Sequence, residues 1–210
     1  MLLTLVRHGQ TPSNVLGLLD TGIPGPGLTE LGHRQAAALV DAFVERPVDA
    51  LYVSRLIRTH HTAEPLATAR RLEPVELPGI HEIGAGSLEM RGDRESMQAY
   101  LGTIHAWSAE GLHVAMPGGE DGHTFFDRFD AGVARAADGA DHAVVVSHGA
   151  AIRVWVAERA QNIGHSFVVD HDLPNTGIVE LEGDPDSGWR LLRWLGDPVD
   201  PHGADVHSAA

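Results

Sequence analysis

Two His-Gly pairs stand out in this chain. Leu2, Leu3, Leu5 and Val6 form a short apolar run that suits a buried strand, and Arg7-His8-Gly9 breaks it with a cation, an imidazole and a flexible backbone. Ala143 to Val146 is a second apolar, β-branched run, and it ends in Ser147-His148-Gly149. In open α/β sheets ligands bind beyond the carboxyl ends of the strands, which is where both pairs would lie. The planar fork of Arg suits phosphate, and a neutral His can act as a nucleophile. Strand-turn-Gly is common, and a lone His is more often structural than catalytic. The recurrence of the pair carries the functional reading, since adjacent parallel strands would bring His8 and His148 together.

The elements that must position these residues follow in order. After Asn14 the chain is rich in Gly and Pro through Gly27, which predicts a loop over the site. Thr29 is an N-cap for a helix with an apolar stripe at Leu31, Ala38, Leu39, Ala42 and Phe43. Asp49 to Ser54 is a second strand, and Ser54 to Glu64 leads into a helix running to about Arg70. Arg58 falls in that helix's first turn, where backbone N–H groups favour anions; Arg55, Arg70 and Arg71 read as surface residues. Glu73 to Leu77 is an edge strand. His81-Glu82-Ile83-Gly84 opens a loop to Arg94, and a loop carboxylate near a bound phosphate can serve as general acid, although Glu82 alone reads as a solvated residue.

Further on, Glu95 to Glu110 is a helix that either caps the site or packs on the core. A helix with Phe125, Phe126, Phe129 and Val133 on one face follows Pro117-Gly118-Gly119-Glu120-Asp121, and another spans Ala150 to Ala160. Pro174-Asn175-Thr176-Gly177 is a turn into strands Ile178 to Leu181 and Trp189 to Leu195, which form a hairpin. This alternation predicts one α/β domain over residues 1–195, a three-layer α/β/α sandwich with a mainly parallel central sheet and right-handed crossovers. The Pro-, Asp-, Gly- and His-rich tail, 196–210, is expected to be disordered.

Composition narrows the chemistry. A formal net charge of -14, from 15 basic and 29 acidic residues, argues against nucleic acid or an anionic membrane as partner. Every basic residue is Arg, which excludes a Schiff-base or P-loop lysine. The absence of Cys excludes disulfides, thiolate zinc sites and a cysteine nucleophile. The 14 His residues are scattered without a metal-ligand motif, so no metal and no cofactor are expected. With no signal-peptide pattern and no run of membrane-spanning length, a cytoplasmic protein is the default. The oligomeric state is not legible, and a homodimer is compatible with the chain.

Together these residues carry a resemblance. Leu5-Val6-Arg7-His8-Gly9-Gln10-Thr11 with Asn14, Ser54-Arg55 with Arg58-Thr59 and Thr62-Ala63, His81-Glu82-Ile83, Pro117-Gly118-Gly119-Glu120 and Val146-Ser147-His148-Gly149 resemble the histidine phosphatase superfamily, which is phosphoglycerate mutase-like in fold. The resemblance spans Leu2 to about Leu195. It implies that His8 attacks phosphorus to give a phosphohistidine. It further implies that Arg7, Arg58 and His148, with Asn14 and Gly149, hold the phosphoryl group, and that Glu82 is the general acid and base of a metal-independent reaction. Gln10 stands where many relatives have Glu, Asp121 where Ser is frequent, and Leu88-Glu89-Met90 where many carry Trp-Glu-Gly, so leaving-group specificity is the property least fixed by the resemblance.

Three functions compete at this stage. A phosphomonoesterase of histidine acid phosphatase type, acting on a small phosphorylated metabolite, is favoured because Gly84 to Met116 contains no long mutase-type insertion. A mutase-type phosphoryl transfer is the alternative. A non-catalytic phospho-ligand binder would keep the arginines and usually lose the nucleophile or the acid, and both are present here.

Overall fold

The computed structural model describes residues 1–107, 111–164, 167 and 171–199. Its centre is a seven-stranded sheet built on β1 (Leu2–Arg7), β2 (Ala50–Val53), β3 (Val75–Glu76), β4 (His142–Ser147), β5 (Ile178–Asp184), β6 (Gly188–Trp194) and β7 (Asp197–Pro198), in the spatial order β3-β2-β4-β1-β5-β6-β7. β3, β2, β4 and β1 pair in parallel, whereas β5, β6 and β7 each pair antiparallel with the strand before them. Five of the seven strands therefore point the same way, because two reversals restore β6 to the direction of β1.

Side-chain alternation along the strands divides the core. Leu3 and Leu5 of β1, with Ala143 and Val145 of β4, face α4 (Arg94–Trp107), α5 (Gly122–Ala137) and α6 (Gly149–Arg159). Val6, Val144 and Val146 face α2 (Glu30–Ala42) and α3 (Ile57–Arg70). Helices on both faces of the sheet give the three expected layers. The larger layer is aromatic: Trp107, Phe125, Phe129, Trp155 and Trp189 form a chain of rings with successive centroids 5.6–6.0 Å apart.

Several local expectations shift. The segment after the first His-Gly pair contains a short helix, α1 (Pro12–Leu16), closed by a reciprocal capping box between Thr11 and Asn14. Thr29 does cap α2, but the buried residues nearby are Gly32, Ala36, Leu39 and Phe43, while Leu31 and Ala38 are exposed. The reason is a backbone contact: a Cβ at Gly32 would lie 2.2 Å from the Gln10 carbonyl, so the first turn of the helix docks through Gly32 and not through Leu31. Gly9 belongs to the same contact, since its own Cβ would meet the Gly32 carbonyl at 2.8 Å. α4 ends at Trp107, and Ser108–Glu110 lie outside the described residues. Of the tail, residues 196–199 are described and Asp197–Pro198 pair with β6; 200–210 lie outside the described residues.

One side chain ties the loop bearing Glu82 to the body of the fold. Arg128 of α5 donates to the carbonyls of Gly79 (2.7 Å), His81 (2.8 Å) and Glu82 (3.1 Å), and it pairs with both oxygens of Glu120 at 2.8 and 2.6 Å. Burial alone would raise the Glu120 carboxyl, but the hydrogen bonds and charge of Arg128 outweigh it and hold the group below its usual value. Replacing Arg128 by Met should therefore leave a charge and three carbonyls unmatched, at a cost of about 3 kcal/mol at pH 7. A carboxyl whose folded value is depressed contributes stability above its unfolded value, near 4.5, and loses it as pH falls through the folded value. Urea unfolding of both proteins should show the gap closing toward pH 3; an unchanged gap would remove Glu120 from the account.

Candidate active site

The site grows out of the parallel pair β1 and β4. Arg7 stands opposite Ser147 in the register, so His8 and His148 leave the sheet side by side, with ring centroids 5.2 Å apart. The ladder runs one step further, with His8 N donating to Ser147 O at 3.0 Å. On the other flank, Thr176 N donates to the Arg7 and His8 carbonyls at 3.0 and 3.3 Å, and Asn175 Nδ2 donates to His8 O at 3.0 Å. The His8 backbone is thus held from both sides.

Hydrogen bonding fixes the state of the His8 ring. Its Nδ1 lies 2.8 Å from the Gly9 carbonyl, which can only accept, so Nδ1 carries the proton and Nε2 keeps its lone pair. Burial, followed by the charge of Arg58, pushes the imidazole well below the usual histidine value; the Gly9 carbonyl opposes this and Arg7 adds to it. His8 is consequently a neutral imidazole at neutral pH. His148 is driven the same way by burial, then by Arg58 and His8. It is fully buried, and its Nε2 lies 2.8 Å from Ser54 Oγ at the end of β2.

Arg58 occupies the first turn of α3 and is 3% exposed. It donates through Nη2 to the Asp20 carbonyl at 2.9 Å, with Nη1 3.8 Å from the Asp20 carboxylate. Arg7 donates through Nη1 to Leu173 O at 2.6 Å. Its guanidinium passes close over Gly149, where a Cβ would lie 3.0 Å from Nε, so any larger residue there would push the Arg7 side chain by a few tenths of an ångström. Arg7 Nε, Arg58 Nε and His148 Nδ1 are all buried without a hydrogen-bond partner. Orphaned buried polar groups are rare in folded proteins; two of these belong to residues that line one cavity, and the third to His148, whose ring lies beside that of His8.

Glu82 lies at the start of α6. Its Oε1 accepts from Ile83 N (2.9 Å) and Ala151 N (2.8 Å), and its Oε2 from Ala150 N (3.2 Å). The other nearby carboxylates are otherwise engaged. Glu89 accepts from Thr21 N at 2.8 Å, Gly22 N at 2.9 Å and the Thr21 hydroxyl, which clamps the covering loop, and Glu120 is bound to Arg128. Asn14 does not stand alone either: its Oδ1 accepts from Thr11 N and from Asn175 Nδ2, each at 3.1 Å, and the residue lines the cavity.

Arg7, His8, Asn14, Arg58, Glu82 and Gly149 all border one cavity of about 520 Å³, larger than a phosphate ion needs, and His148 lies buried beneath it. Its upper walls include Leu18, Leu19, Met97, Tyr100, Leu173 and Pro174. Met97 and Tyr100 show that α4 both packs on the core and covers the site. Asp20 and Asn175 are site residues that the sequence did not single out, and Ser54 stood only within the Ser54-Arg55 motif. Asn175 read only as a turn residue, and the Asp20 pairing with Arg58 spans a loop with no periodicity. Among the described residues, no three His, Asp or Glu side chains converge as a metal-ligand set, and no helix is long and apolar enough to cross a membrane.

Comparison with known proteins places the fold in a family. The family profile of the histidine phosphatase superfamily, branch 1, matches residues 3–196. A PE-PGRS family protein of Mycobacterium tuberculosis is 38% identical over 96% of this chain, which spans only 37% of that relative's length. Adenosylcobalamin/alpha-ribazole phosphatase of Salmonella typhimurium is 31% identical over 75% of this chain and 78% of its own. The native structure of mycobacterial glucosyl-3-phosphoglycerate phosphatase superposes with a TM-score of 0.75 at 25% identity, covering 93% of this chain and 99% of that one. The chain belongs to the histidine phosphatase superfamily, branch 1.

Proposed function

We propose that this protein is a phosphomonoesterase acting on a small phosphorylated metabolite through a phosphohistidine on His8. The observation that carries the reading is the state of the cavity floor: a neutral His8 with its Nε2 lone pair intact, ringed by the orphaned donors Arg7 Nε, Arg58 Nε and His148 Nδ1. A phosphoryl group supplies acceptors for all three and an electrophile for the fourth. The names of the relatives point the same way, since alpha-ribazole and glucosyl-3-phosphoglycerate phosphatases both act on small phosphorylated compounds.

The reaction runs in two displacements. His8 Nε2 attacks phosphorus, the P–O bond to the leaving group breaks, and the departing alkoxide takes up, by way of Glu82, the proton that the phosphate monoanion brings. Water then attacks the phosphohistidine and gives a proton to the Glu82 carboxylate, and the P–N bond breaks to return His8 and inorganic phosphate. Arg7 and Arg58 balance the charge that develops on the equatorial oxygens, so the step needs no added cation. Gly149 lets Arg7 into place, and Asn14 is positioned beside the phosphate by Thr11 and Asn175.

A panel of sugar phosphates, phosphoglycerates, nucleotides and phosphopeptides, assayed for free phosphate with and without chelator, tests the reading. Release of phosphate that chelator does not affect supports it. Transfer of the phosphoryl group to another position on the substrate, without release, would identify a mutase instead.

His8→Ala should lower turnover by on the order of 10⁴-fold or more with the fold retained, because the side chain is a nucleophile at a strand end and holds no structural partner beyond its own loop. Alkali-quenched wild-type protein should carry labelled, acid-labile phosphate. Comparable turnover by the variant would show that another group attacks.

Glu82→Gln should slow phosphorylation of His8 by alkyl phosphates far more than by p-nitrophenyl phosphate, whose leaving group departs without an acid. Arg58→Ala should slow both by roughly 10²- to 10³-fold, since it removes charge stabilisation that every phosphoryl group needs. Single-turnover rates are the measurement that isolates this step. Equal slowing of both substrates by Glu82→Gln would take the leaving-group role away from Glu82.

A further inference from the structure

The second histidine poses a question that its position alone does not answer, namely which of its nitrogens carries the proton. His148 is fully buried, burial keeps it neutral, and its Nδ1 has no partner. A neutral imidazole with the proton on Nε2 would turn the Nδ1 lone pair toward the phosphoryl oxygens, and lone pair would face lone pair. With the proton on Nδ1, the same atom becomes the donor that those oxygens require. The Nε2 side of the ring decides between the two, and there the ring meets a single group, the Ser54 hydroxyl at 2.8 Å.

Ser54 is itself fully buried, at the residue after β2, and its hydrogen bonds can be counted. Its Oγ accepts from Leu56 N at 3.3 Å. Its one proton has two acceptors in reach, His148 Nε2 at 2.8 Å and Thr59 Oγ1 at 3.2 Å. Thr59 has a better use for its own proton in the Leu56 carbonyl at 2.8 Å, with the Ser54 carbonyl at 3.1 Å. The shorter contact and the stronger acceptor are both on the histidine side.

We infer that Ser54 is a positioning residue that donates its hydroxyl proton to His148 Nε2 and thereby holds His148 as the Nδ1–H tautomer, leaving Nδ1–H as the free donor that a bound phosphoryl group would use. The inference rests on the phosphatase reading only for what the donor binds; the tautomer is a property of the free protein as well. It also gives a role to the serine of the Ser54-Arg55 segment that the proposed chemistry leaves unused.

Nitrogen NMR of ¹⁵N-histidine-labelled protein, free and with inorganic phosphate, reads the tautomer directly. The expected result for His148 is a protonated Nδ1 and an unprotonated Nε2 in both samples. Thr59→Val should leave that pattern unchanged, because the Ser54 proton does not depend on it. Ser54→Ala should admit the Nε2–H form and weaken kcat/KM by roughly tenfold or more, with Ser54→Thr restoring the tautomer. An Nε2–H signal in the wild-type protein, or a tautomer in Ser54→Ala identical to wild type, overturns the inference. Phosphohistidine formation by the wild-type enzyme is measured in parallel, so failure of the phosphatase reading appears there and not in the tautomer.

Discussion

The parallel pairing of β1 with β4 is the constraint on which the site depends. It sets Arg7 opposite Ser147, so two chains leave the sheet in the same direction and at the same level, and two imidazoles meet 5.2 Å apart. A one-residue slip would exchange the faces of every side chain on the strand. Val6 would then leave the layer it shares with Val144 and Val146, and the fully buried faces of both strands resist that change. Core packing thus holds the register, and the register fixes the chemistry. A buried arginine, Arg58, and a half-buried one, Arg7, border the same cavity, and their charge is offset by Glu82 and Asp20 around Arg58 and by Glu82 and Asp172 around Arg7. The acidic residues keep the arginines tolerable underground, and the arginines keep both histidines neutral.

The carboxylates of the loop beside the site divide their tasks by hydrogen bonding. Glu120 is spent on Arg128, which in turn holds the carbonyls of residues 79, 81 and 82. Glu89 is spent on the backbone and hydroxyl of the covering loop. Glu82 alone of the three lines the cavity. The two structural carboxylates therefore steady the segments around the third, whose own carbonyl is held by Arg128 and whose carboxylate is held by the backbone N–H groups of Ile83, Ala150 and Ala151.

Most of the layer order and the pairing of the two histidines was legible because both rest on strong local signals. Continuous apolar runs mark buried strands, and each ended abruptly in residues that no buried strand would carry. What escaped was decided by contacts between distant backbones or by single polar groups. Leu31 and Ala38 looked like a buried stripe, yet α2 docks through Gly32, which has no side chain to register in a hydrophobic pattern. His142 read as one more scattered histidine, and it is a core residue, its Nε2 2.9 Å from Thr4 Oγ1 and its Nδ1 bonded to the Pro47 carbonyl. Asn175 looked like turn chemistry, which it is, while also reaching His8 and Asn14 across more than 160 positions of sequence. Periodicity reports which face of an element is buried; it carries no information about which polar atom finds which partner.

Chemistry and recognition occupy different parts of the cavity. The floor is built from strand ends and the first turns of α3 and α6, where backbone hydrogen bonding leaves little freedom to move. The walls come from α4, the segment around residues 17–21 and the segment at 172–175, which meet the floor through a few contacts such as Arg7 to the Leu173 carbonyl and Arg58 to the Asp20 carbonyl. Loops of this kind tolerate change far better than sheet ends do. A substitution at Leu18 or Met97 alters the surface that the rest of a substrate must touch and leaves the donors around His8 in place. The same floor can therefore serve substrates of different shape, which is why the residues that identify the chemistry in this sequence say so little about the molecule that bears the phosphate.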